Sequence, residues 1–181
     1  MTPRRAHALG LQAALVALVA LVAPGCAATP DDGSIPSLAV TGLDRAGYEA
    51  LVQPVVERRC GSLDCHGKLP RGLRVYGQNS LRLPNDAGLA VGSGKTSTAE
   101  AEATYASIVG LEPEKTRAFA EASPRTVEGA YALTFLSKPL ERERHRGGAS
   151  LRKDEPAEQC LRTWLVGPIN QTACAEALAR P

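Results

Sequence analysis

Methionine, histidine and aromatic side chains are scarce in this 181-residue chain, which has one Met, three His, one Trp, four Tyr and two Phe. A core this poor in rings must rest on Leu, Val and Ala, or on a bound group. Apolar residues make up 44 %, an ordinary share that excludes wholesale disorder. Charge of one sign is also missing, since 21 basic and 19 acidic residues leave +2. Such a balance gives no electrostatic footprint for nucleic acid. No internal repeat is present.

The longest apolar run, Leu9 to Ala23, falls short of the roughly 18 residues of a comfortable membrane span. It follows Arg4 and Arg5, so residues 1–25 read as an export signal. The run ends in Ala23-Pro24-Gly25-Cys26, which resembles a lipobox. The expectation is cleavage before Cys26 and acylation of that cysteine, anchoring the protein by lipid in the cell envelope, on the periplasmic or outer-membrane side. An ordinary signal peptide with an incidental cysteine is the alternative. Without Arg4 and Arg5 the chain has 19 basic and 19 acidic residues. Residues 26–40, rich in Pro, Asp, Gly and Ser, read as a flexible tether.

Four cysteines remain, Cys60, Cys65, Cys160 and Cys174. Outside the cytoplasm these become cofactor ligands or disulfides. Cys160 and Cys174 pair most simply with one another, stapling the last two helical segments. In the chain-entropy model a loop of that size stabilises by about 3 kcal/mol.

The richest chemistry lies in Cys60-Gly61-Ser62-Leu63-Asp64-Cys65-His66-Gly67. In the C-x-x-C-H signature two thiols form thioethers to a haem and the adjacent imidazole ligates its iron. Here the spacer has four residues, so the intervening chain must bulge outward. The flanks VQPVVERRCGSLDCHG and PRGLRV, with YASIVGLEPEK, LSKPLERERHRGG and LRTWLVG further on, resemble the planctomycete-type branch of the cytochrome c family. The likeness runs from Tyr48 to Gly167. It implies a covalent haem c on Cys60 and Cys65, His66 as proximal ligand and one-electron transfer to redox partner proteins. It also implies that His145, in the K-P-L…H-x-G-G segment, is the distal ligand.

Residue counting narrows the distal side. The sole methionine is Met1, within the signal, so a Met/His haem is excluded within the chain. His145, a lysine such as Lys138, or water remains. Bis-imidazole ligation lowers the potential relative to Met/His. Three other readings stand beside haem. Cys60, Cys65, His66 and His145 formally add up to a Cys2His2 zinc set, although adjacent Cys65 and His66 rarely reach one tetrahedral ion. Cys60 and Cys65 could instead form a disulfide in a haem-free envelope lipoprotein that acts as a binding or structural module. His145, between two arginines, reads equally well as a solvated loop residue. Gly92-Ser93-Gly94-Lys95-Thr96 lacks the opening glycine of a phosphate loop, since that position is Leu89. No nucleophilic triad stands out. Five-coordinate haem could support peroxide chemistry, but beyond the missing Met nothing in the sequence points to it, so an electron carrier is expected rather than a catalyst.

The fold expectation is a mostly α, cytochrome c-like domain over 41–181, with about five helices and long loops. Asp44 is the expected N-cap of a helix running to Cys60, interrupted at Pro54. Ser97 and Glu100 form a capping box for a helix ending at Gly110. Further helices are expected from Pro113 to Phe119, from Val127 to Leu136, from Asp154 with Pro156 in its first turn, and from Thr172 to Ala179. LRVYG and SLRLP predict short extended pieces, and the acidic residues are expected at solvated positions. Leu73, Tyr105, Ile108, Leu136 and Trp164 are the candidates for packing around the ring, and Gly67 for close backbone approach.

Overall fold

The computed structural model describes residues 40–84 and 92–179. The expected signal, the Cys26 lipidation site and nearly all of the tether lie outside them. The chain divides into two units, Met1–Pro36 and Ser37–Pro181, and the second contains the expected domain. No helix among the described residues is long and apolar enough to cross a membrane.

The domain is mostly α, with no strand among the described residues. Only an isolated parallel bridge, Tyr76 to Leu81, marks the stretch expected to be extended. Asp44 caps a short helix α1 (Arg45–Gly47), accepting from the Gly47 N–H at 2.8 Å. A π-helical turn, Tyr48–Val52, follows and leads into α2 (Gln53–Cys60). Proline at position 54 accounts for the widening. It lacks an N–H, and its ring would clash with the carbonyl one turn back, so the preceding turn opens.

The Ser97–Glu100 capping box opens α3 (Thr98–Val109), which ends at Gly110 as expected. Pro113 stands in the first turn of α4 (Pro113–Glu121). The single helix expected from Val127 to Leu136 is two, α5 (Val127–Ala132) and α6 (Thr134–Ser137). Leu133 between them is extended, and the freed Thr134 N–H donates to Glu112 at 2.6 Å. Burial alone would raise the Glu112 carboxyl; the Thr134 N–H and Lys115 more than offset this and hold it below its ordinary value.

The long C-terminal helix α7 (Pro156–Val166) buries Ala157, Leu161, Trp164 and Leu165. Asp154 does not cap it. Its φ is +64°, the N-cap position is Glu155, and the Asp154 N–H donates to Glu158. The last helix, α8 (Gln171–Ala179), is bonded to α7 by the Cys160–Cys174 disulfide, the pairing expected from the spacing.

Trp164 is the hub of the core. Its ring centre lies 4.9 Å from Tyr48, 6.1 Å from Tyr105 and 6.1 Å from Phe135. Its indole N–H donates to the Asp44 carbonyl at 3.0 Å, fastening α7 to the start of α1. The expected solvated positions of the acids need correction, because Glu57, Glu100 and Glu158 are buried. Each has partners: Gln53 and Thr96 donate to Glu57, Arg82 pairs with Glu100 at 2.9 Å, and Tyr131 and Arg162 donate to Glu158. Buried carboxylates survive only with such donors.

Candidate metal centre

Helix α2 ends at Cys60, and the chain then folds back on itself. The Cys65 N–H and the Gly67 N–H both donate to the Ser62 carbonyl, at 2.9 and 3.0 Å. The His66 N–H donates to the Cys60 carbonyl at 3.0 Å, closing the loop. The four-residue spacer is thus taken up as a compact bulge that brings His66 back beside Cys60. The closure demands glycine twice. A Cβ on Gly67 would stand 2.4 Å from the Gly61 carbonyl oxygen, and one on Gly61 would stand 2.0 Å from the Ser80 hydroxyl. Gly67 therefore permits the close backbone approach expected of it, although its neighbour is the loop itself.

The two thiols differ. Cys60 is buried and Cys65 is exposed, and both are free. Burial pushes the Cys60 thiol up to about 12, with the nearby Cys65 adding to it. Burial penalises a thiolate but not an uncharged thioether.

His66 is half-buried, and its Nδ1 lies 3.0 Å from the Leu73 carbonyl oxygen. A carbonyl only accepts, so Nδ1 carries the proton and the Nε2 lone pair is free. The Val75 N–H donates to the His66 carbonyl, so the Leu73–Val75 strip braces the histidine from both ring and backbone. Burial holds the His66 pKa below its ordinary value, with His145 and Arg71 acting in the same direction against the Leu73 bond. Neutral imidazole is the ligating form.

His145 comes from a different part of the chain, the loop after α6. Its Nδ1 lies 2.8 Å from the Gly148 carbonyl oxygen, so it too presents Nε2 free. The loop is tied back by Glu143, which accepts from Ser137 at 2.9 Å, and by Arg142, which lies 4.0 Å from the centre of the Tyr131 ring. The two imidazoles face one another, 79 residues apart in sequence, with ring centres 6.1 Å apart and planes 5° from parallel. In both residues a backbone carbonyl fixes the tautomer, the arrangement common to metal-bound histidines. His66 and His145, with Cys60 and Cys65 in the same loop as His66, are the residues that would hold an iron porphyrin if one were bound.

These residues do not fit structural zinc. Among the described residues no three or more His, Cys, Asp or Glu side chains gather as a cation site needs, so the Cys2His2 set is not assembled. Leu73, Tyr105, Ile108, Leu136 and Trp164, the residues expected around a ring, are all buried in the apolar core. Lys138, the other candidate for the distal position, is half-buried at the end of α6. A cavity of about 880 Å³ opens elsewhere, lined by Gln53, Glu57, Thr96 and their neighbours and by none of the two thiols or two histidines. Sequence reasoning did not foresee the loop's anchors, Ser137, Glu143 and the Arg142–Tyr131 contact. Only the crowding of charge next to His145 could have hinted at them.

Comparison with protein-family models, with curated proteins and with solved structures finds no match to this chain.

Proposed function

We propose that the chain is an extracytoplasmic one-electron carrier with a single c-type haem, attached through Cys60 and Cys65 and held between His66 and His145. The observation that carries this reading is the parallel imidazole pair, 6.1 Å apart, each ring fixed by a backbone carbonyl so that its ε nitrogen is free. When bound, haem iron supplies a reversible ferric–ferrous couple, low in potential with two imidazoles because no thioether favours the reduced state.

The chain's own residues have distinct tasks. Leu73 and Gly148 aim the imidazoles, and burial of His66 favours its neutral form. The loop closed by the His66 N–H on the Cys60 carbonyl brings the backbone of Cys60 beside that of His66, which directly follows Cys65. If His66 and His145 both ligated the iron, no position would be left for peroxide, which favours a carrier over a catalyst. The Cys160–Cys174 disulfide supports an oxidising compartment, in keeping with export and a lipid anchor on Cys26.

The test is expression with a haem-maturation system, followed by absorption and electron paramagnetic resonance spectra. A Soret band with a sharp α band, low-spin in the wild type and high-spin in His145→Ala, is expected. Absence of both bands overturns the reading. A wild type that is already high-spin removes His145 from it.

A further inference from the structure

Leu63 and Leu69 are the large apolar side chains left exposed among the described residues, at 47 % and 64 %. Both belong to the loop that carries Cys65 and His66. A scattered surface leucine needs no explanation, but two in one loop beside a candidate site are a different matter. The same loop has three exposed cations, Lys68, Arg71 and Arg74. Lys68 lies 3.9 Å from the Asp64 carboxylate. The guanidinium groups of Arg71 and Arg74 donate to backbone carbonyls, of Asp64 and Arg71, and neither forms an ion pair with a described carboxylate.

The facing loop adds to the charge. His145 is flanked by Arg144 and Arg146, both exposed and without an ion-pair partner among the described residues. The 6.1 Å approach of His66 and His145 makes the two loops one face. Residues 62–74 and 141–148 together hold six basic and three acidic side chains. The other described residues hold twelve basic and thirteen acidic, so the positive excess of the domain is concentrated here.

We infer that this face is the docking surface for an acidic protein partner, with the leucines supplying contact and the unpaired arginines supplying steering. The partner's role as electron donor or acceptor rests on the functional reading above; its charge and its place of docking do not. Asp64, Glu141 and Glu143 decide between a protein and an anionic membrane. A bilayer of anionic lipid repels all three, whereas a protein can set lysines against them. Steering by such a face raises the association rate at low salt and fades beyond a Debye length of about 10 Å at 0.1 M.

The test is titration of the isotope-labelled protein at low salt with polyglutamate and with an acidic peptide carrying two leucines, read as amide shifts by nuclear magnetic resonance. Shifts confined to 62–74 and 141–148, lost at high salt and absent with polylysine, are expected. The leucine-bearing peptide is expected to bind several-fold tighter, and L63S with L69S to remove that gain. Charge reversal by R71E with R74E abolishes the shifts; R144A with R146A weakens them and serves if the reversal does not fold. Shifts elsewhere, or none, overturn the inference, as does response to phosphatidylglycerol vesicles without response to either acidic peptide. Because the readout needs no iron, loop-confined shifts in a protein without haem keep the docking face and remove only its redox role.

Discussion

Around Trp164 the rings of Tyr48, Tyr105 and Phe135 gather, the indole N–H is bonded, and the side chains are almost wholly out of water. Around His66 and His145 the arrangement is made by backbone carbonyls and short loops, and many neighbouring residues are exposed. The first region gains from area removed from water, so it tolerates little loss of volume. The second gains from direction, because each hydrogen bond aims a ring and buries little. One domain thus separates what keeps it folded from the loops that carry the candidate site, and the two can be perturbed independently.

The sharpest break in that comparison is Trp164→Ala. Removing a fully buried indole should cost about 3–5 kcal/mol, read from the midpoint of urea unfolding. Replacing Cys160 and Cys174 together by Ala should cost about 3 kcal/mol, since the closed loop no longer restrains the unfolded chain. Gly67→Ala belongs to the other region. Its new Cβ meets the Gly61 carbonyl at 2.4 Å, and opening the loop should cost roughly 1–3 kcal/mol while lowering the fraction of protein that retains haem. His145→Ala should move stability by less than about 0.5 kcal/mol in the haem-free protein, yet change the spin state of the loaded one. Smallest in energy is a labelling experiment at pH 8 on the haem-free protein. Exposed Cys65 should alkylate readily; Cys60, pushed up to about 12 by burial, keeps only about one thiol in ten thousand ionised and should react after unfolding. Equal labelling of the two would place Cys60 at the surface and erase the distinction.

Local signals account for the parts of the fold that could be read from the chain. Asp44, the Ser97–Glu100 box, Gly110 and the prolines at 113 and 156 act within one turn, so their neighbours in sequence are their partners in space. The Cys160–Cys174 staple has the same locality. Glu57, Glu100 and Glu158 resisted reading because what permits their burial lies elsewhere, in Thr96, Arg82 and Tyr131. The break at Leu133 depends on Glu112 in the same way, and the positive φ of Asp154 forfeits the cap its side chain could have made. At the candidate centre, Cys60, Cys65 and His66 are legible as a motif. His145 emerges because histidine and methionine are so few. Its parallel approach to His66 is a property of two loops meeting and has no trace in either one.

The proposed hold of two thiols and two imidazoles on one iron porphyrin is tested most directly by the intact mass of the mature protein made with a haem-maturation system. The account predicts the polypeptide plus the mass of one haem, surviving denaturation because the link is covalent. A polypeptide lighter by two hydrogens beyond those lost at Cys160–Cys174, with Cys60 joined to Cys65, would contradict it.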